Sequence, residues 1–129
     1  MNECKNTGIK IGGNWNDLPW QTFRKGMLRK IFTGEGATIM VSEFKNGHDV
    51  NPHKHPYEQI AMILEGECDY FVAGVKNSLK PGGFLIVPPD VEHYIHVHSS
   101  SMPCINLDVF TPRRDGYVDE YAAFLDETQ

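Results

Sequence analysis

The sequence predicts an all-β sandwich or barrel closed by one short C-terminal helix. Three observations lead there: apolar or alternating stretches of strand length recur along the chain, Gly- and Pro-rich turn signals separate them, and helical spacing is confined to the tail. Taken in order, strands at 27–33 and 38–44 flank the turn Gly34-Glu-Gly36, and Asn46-Gly47 ends the second. A strand at 59–64 turns at Glu65-Gly66 into 68–72, which turns at Ala73-Gly74 into 75–79. Pro81-Gly-Gly83 leads into the apolar strand 84–87, Pro88-Pro-Asp90 separates it from 93–98, and 104–110 is the last strand. Eight short strands at this spacing suit a sandwich or barrel. Over 118–127, Tyr121, Phe124 and Leu125 fall on one side of a helix, which caps the barrel or an oligomer edge.

With 129 residues, 40% apolar and 11% aromatic, the chain suits one domain with a single core. An N-terminal arm occupies 1–26, the barrel 27–112 and a tail 113–129. No run is long enough to span a membrane, and the polar start Met1-Asn-Glu-Cys-Lys-Asn does not resemble a secretory signal, so a cytoplasmic location is expected. Cys4, Cys68 and Cys104 are widely separated and form no Cys-x-x-Cys pair, so they read as small core or surface residues. A formal charge of -5 argues against a nucleic-acid partner. The short basic cluster Arg24, Lys25, Arg29, Lys30 reads as a solvated face or edge beside a strand. Trp15, Leu18, Trp20 and Phe23 give the arm more apolar area than a monomer leaves exposed, which predicts a homodimer; the alternative is that they fold across the chain's own barrel.

The chemistry concentrates in histidines. Alternate residues of an extended chain project to one face, so His53 and His55 both point inward while Lys54 points to water. Gln59 keeps their parity. Glu58 has the opposite parity and is aimed away, although a carboxylate is the commoner ligand and Pro56 leaves the local geometry open between the two. Downstream, two turns and two strands return the chain to its starting level at His93, a candidate fourth ligand. On that strand His93 shares a face with Ile95 and Val97, which leaves His96 and His98 toward solvent, and His48 is an ambiguous loop residue. In the last strand Asp108 and Phe110 share a face, and Thr111-Pro112 turns the chain so that Arg114 swings back toward the barrel mouth. An acid, an aromatic wall and a guanidinium near a metal suit a carboxylated sugar: Arg114 clamps a carboxylate and Asp108 shuttles a proton. The competing reading makes Asp108 a buried ion-pair partner, Phe110 a core residue and Arg114 a surface one.

These residues resemble the two motifs of the cupin family. Gly47, His53, His55, Gln59 and Gly66 fill the first; Gly82, Pro88 and His93 match the second, which departs at Asp90, where glycine is usual, and at Val97, where asparagine is usual. Asp tolerates a left-handed conformation better than most residues, so the first departure leaves the fold intact. The resemblance implies a double-stranded β-helix, or jelly-roll barrel, with His53, His55, Gln59 and His93 around a divalent ion. Zn, Ni, Mn and Fe all accept such N and O donors. Neutral donors leave the ion's charge uncompensated, a good Lewis acid for a small-molecule substrate such as a carboxylated sugar or organic acid. The spacing Asp108, Phe110, Arg114 is similar to that in the KdgF-type cupins of pectin and alginate breakdown, which implies conversion of 4,5-unsaturated uronates to linear keto sugars. The same scaffold also hosts Fe-dependent dioxygenases, lyases and non-enzymatic binding modules, which remain rival expectations.

Overall fold

Two antiparallel sheets face each other in the computed structural model, which describes residues 3–4 and 9–128. The strands are β1 (Glu3–Cys4), β2 (Ile9–Lys10), β3 (Gln21–Arg24), β4 (Met27–Thr33), β5 (Thr38–Phe44), β6 (Glu58–Glu65), β7 (Cys68–Val72), β8 (Val75–Leu79), β9 (Phe84–Val87), β10 (His93–His96) and β11 (Cys104–Thr111). A 3-10 turn (Trp15–Asp17) precedes β3, and helix α1 (Asp115–Glu127) closes the chain. One sheet has the order β3-β4-β5-β11-β6-β9 and the other β10-β7-β8, while β1 pairs with β2. This is the jelly roll the sequence predicted, with β1, β2 and the edge strand β3 added before it and α1 starting three residues early. No helix among the described residues is long and apolar enough to cross a membrane. The side chain of Cys4 lies outside the described residues; Cys68 and Cys104 are free and buried.

Alternation sets what the sandwich encloses. Along β11, Cys104, Asn106, Asp108 and Phe110 face inward; along β6, Gln59, Ala61 and Ile63 do. The inward apolar residues form two clusters. One joins both sheets through Met27, Phe44, Ile63, Tyr70 and Ile95, and the other packs Ile31, Met40 and Phe110 against Tyr121 of α1. Between them lies a cavity of about 220 Å3 whose walls mix polar and apolar side chains. On the turn before β10, Asp90 takes φ 64°, the left-handed conformation that the usual glycine would provide there.

Of the basic cluster, Lys25 is exposed and Arg24 half-buried, but the other two are not solvated. Arg29 and Lys30 are only 1% and 5% exposed. Arg29 points inward, donates from Nε to Gln21 Oε1 at 2.7 Å and lies 3.7 Å from the Phe23 ring centre. Lys30 points outward, where the arm covers it: Nζ donates to the Trp15 carbonyl at 3.0 Å and sits 4.3 Å from the Trp20 ring centre. Ring faces and carbonyls replace part of the hydration that long cationic side chains lose on burial. Trp20 and the Trp15 carbonyl of the arm thus lie across the chain's own barrel, while Ile11 and the Trp15 side chain stay exposed, as do Phe84 and Ile86 of β9 and Leu64 of β6.

Candidate metal centre and its cavity

The segment around His53 reaches the site through a backbone bridge rather than a full strand. His53 and His93 exchange hydrogen bonds, N–H of each to the carbonyl of the other at 3.1 and 2.9 Å, and the Asp90 N–H donates to the His55 carbonyl at 2.7 Å. Directly opposed residues of an antiparallel pair present side chains on one face, so residues forty positions apart are placed ring against ring. The His53 and His93 ring centres are 4.3 Å apart, and those of His55 and His93 4.7 Å. One nitrogen of each of the three rings lies within 4.8 Å of the others.

Backbone carbonyls decide which nitrogen that is. Nδ1 of His53 faces the Asn51 carbonyl at 2.6 Å, Nδ1 of His55 the Tyr57 carbonyl at 2.9 Å, and Nδ1 of His93 the Val91 carbonyl at 2.8 Å. A carbonyl only accepts, so each Nδ1 carries the proton and each Nε2 presents a lone pair inward. Gln59 adds another acceptor: its Oε1 is 3.0 Å from His55 Nε2 and 3.1 Å from His93 Nε2. The amide orientation is fixed from behind, because its Nε2 donates to Asp108 Oδ1 at 2.7 Å and to the Tyr70 hydroxyl at 3.1 Å. Burial lowers the pKa of His53, and that of His93 to about 4, which opposes filling the gap with imidazolium protons. Four acceptors turned on one another with no donor between them fit a cation. Glu58 is exposed and pairs with Thr111 on the other face of β6.

Asp108 stands behind the donors. It is 5% exposed, and burial pushes its carboxyl up to about 6 against the hydrogen bonds from Asn106 and Gln59 that pull it down; desolvation wins. Phe110 is buried beside it and edge-on to His55 at 6.1 Å. Both line the cavity, together with His53, Gln59, Tyr70, Asn106, Asp49, His48 and Arg24. His48 is buried: its Nε2 accepts from the Val97 N–H at 3.0 Å.

Arg114 departs from its expected place on the cavity wall. Its backbone N–H donates to Thr38 Oγ1 at 2.9 Å and its Nε to the Pro112 carbonyl at 3.0 Å. These bonds hold the guanidinium 3.7 Å from the centre of the Tyr57 ring, which is itself stacked on His55 at 4.0 Å. The arginine that lines the cavity is Arg24. Tyr70 and Asn106 were readable as inward residues, since they share parity with Cys68 and Asp108; their polar role became visible only with Gln59 and Asp108 in place.

The model of the Cupin domain family matches residues 40–110. The pectin degradation protein KdgF of Dickeya dadantii is 28% identical over 106 residues, 80% of this chain and 94% of the relative. Dimethylsulfoniopropionate lyase DddW of Ruegeria pomeroyi is 34% identical over 79 residues, 61% of this chain and 50% of the relative. The structure of KdgF from Halomonas sp. superposes with a TM-score of 0.72 at 27% identity, covering 79% of this chain and 93% of that one.

Proposed function

The chain belongs to the cupin family, and from that premise we propose that it is a metal-dependent enzyme of uronate breakdown. It converts a 4,5-unsaturated uronate to the linear keto form. The observation that carries this is the pairing of an inward-facing neutral donor set with a buried carboxyl one hydrogen bond behind it, in a chain similar to KdgF along most of its length. A cavity of about 220 Å3 is smaller than the roughly 300–1,000 Å3 typical of drug-sized ligands, which favours a monosaccharide acid.

His53, His55, Gln59 and His93 are the proposed ligands of a divalent ion. When bound, that ion supplies a Lewis acid for the ligand's oxygens. Burial raises the Asp108 carboxyl above the usual carboxylate range, and its place one hydrogen bond behind the donors suits a group that moves a proton. Ring opening of the unsaturated uronate breaks the bond between the anomeric carbon and the ring oxygen. The anomeric hydroxyl loses a proton, and tautomerisation of the resulting enol places one on the neighbouring ring carbon, so no net proton or electron is exchanged. Asp108 is the group proposed to carry that proton. Phe110 walls the cavity, and Arg114 holds Tyr57 against His55. The test is elemental analysis of the purified protein together with the ultraviolet absorbance of an unsaturated uronate. Loss of absorbance in metal-loaded protein and none after chelation is the expected pair of results; activity that survives complete metal removal refutes it.

A second reading has its own support in the 34% identity to DddW: a lyase acting on a small organic acid, with Asp108 as the base. Release of dimethyl sulfide from dimethylsulfoniopropionate, without loss of uronate absorbance, would select it. Oxygen uptake with added Fe(II) would select a dioxygenase instead. We also propose that the chain pairs as a homodimer through the outer face that carries Phe84, Ile86 and Leu64.

A further inference from the structure

We propose that Arg24 is the specificity-determining residue for the ligand's carboxylate, a role that rests on the sugar-acid reading above and identifies the cation that meets the acid. Strict alternation along β3 would send Arg24 outward with Thr22. A register shift after Thr22 instead pairs Arg24 with Met27, whose side chain faces inward. Such a bulge re-aims the side chain that follows it, and here it turns a guanidinium into the cavity beside His53, Gln59 and Asp108.

None of the other three arginines lines the cavity, although Arg29 also leaves a buried donor, Nη1, without a partner. Arg29 is bonded to Gln21 and Glu120, Arg113 is paired with Asp115, and Arg114 is bonded to Pro112 and stacked on Tyr57. Arg24 makes no ion pair among the described residues. Its Nη2 reaches only the Met27 sulfur, at 3.3 Å, a weak acceptor, and its Nε is buried with no partner. A buried N–H without a partner is a standing cost that an incoming oxygen removes. A planar guanidinium with free donors suits a planar carboxylate, which it can meet with two parallel hydrogen bonds. Burial lowers the pKa of Arg24, against which Tyr117 and Asp49 on the same cavity wall favour its charge.

The experiment compares galacturonate with its methyl ester, by calorimetry, on metal-loaded wild type, Arg24→Met and Arg24→Lys, with metal content and melting temperature measured on each. The wild type is expected to bind the acid more tightly than the ester. Arg24→Met is expected to weaken the acid by roughly 10- to 100-fold and leave the ester and the metal content unchanged. Arg24→Lys, which keeps the charge without the fork, is expected to fall between them and carries the same comparison if Arg24→Met does not fold. An unchanged acid-to-ester ratio in both variants, or equal binding of acid and ester by the wild type, overturns the proposal. Turnover of the unsaturated uronate by the wild type is scored separately. A wild type that prefers the acid but leaves the unsaturated uronate intact defeats the proposed reaction and not the role of Arg24; the reverse pattern defeats Arg24 alone.

Discussion

Asp108→Asn is expected to make the metal-free protein more stable and the enzyme nearly inactive. Burial raises the Asp108 carboxyl from the ordinary 3.8 to about 6. Between those values the folded chain holds a proton that the unfolded chain has released, so stability falls as pH rises from about 4 through about 6 and stays low above it. At about 1.36 kcal/mol per pH unit, the displacement corresponds to roughly 3 kcal/mol at pH 8. Asn does not titrate and keeps the shape. Its oxygen still accepts from Gln59 Nε2, and Asn106, whose Oδ1 is buried without a partner, can turn its amide to accept from the new NH2 group.

The two proteins should therefore match at pH 3.5 and diverge above pH 6, with the variant melting roughly 10 °C higher at pH 8 for a chain of this size. The assay is thermal unfolding across pH after chelation, because a bound cation would stabilise the charged carboxylate and hide the difference. In metal-loaded protein, loss of the acid–base group is expected to lower kcat by about 100- to 10,000-fold with bound metal unchanged. A variant less stable than wild type at pH 8 would refute burial as the cause of the raised pKa. One with wild-type kcat would remove Asp108 from the proton pathway.

Replacing a ligand is the complementary test: His93→Ala should weaken divalent-ion binding by more than about 100-fold, as read by competition with a coloured chelator, and retained affinity would dissolve the proposed donor set. Because burial lowers His93 to about 4 and also lowers His53, protons should displace the ion only as pH falls well below 6.5; release already complete at pH 6 would contradict this. Two glycines separate conformation from crowding. Gly47→Ala meets nothing within 4 Å and should cost only the left-handed backbone term of about 1–2 kcal/mol, whereas at Gly66 a Cβ falls 2.8 Å from Cys104 Cα and should cost clearly more in denaturant unfolding. Equal losses would mean the close approach at Gly66 is relieved freely. Sedimentation should give a dimer for the wild type and a monomer for the double variant Phe84→Glu, Ile86→Glu; a monomeric wild type would end the pairing proposal.

The sequence by itself determined the eight strands β4 to β11, because alternation and turn chemistry are local. The same period of two was enough to put His53, His55 and Gln59 on one parity, Glu58 on the other, and Asp108 with Phe110 on one face. What alternation cannot encode is pairing between distant segments. Only the tertiary structure joined His53 to His93 through a backbone bridge, set Gln59 between two imidazoles and Asp108, and buried Arg29 and Lys30 beneath the arm. The arginines mark the limit most clearly. The sequence read Arg24 as part of a solvated basic cluster and sent Arg114 to the mouth, but a bulge in β3 turns Arg24 to the cavity wall, and bonds to Thr38 and Pro112 hold Arg114 on Tyr57. A single-residue slip in register reverses every side chain after it, and that slip is decided by the partner strand rather than by the residues that undergo it.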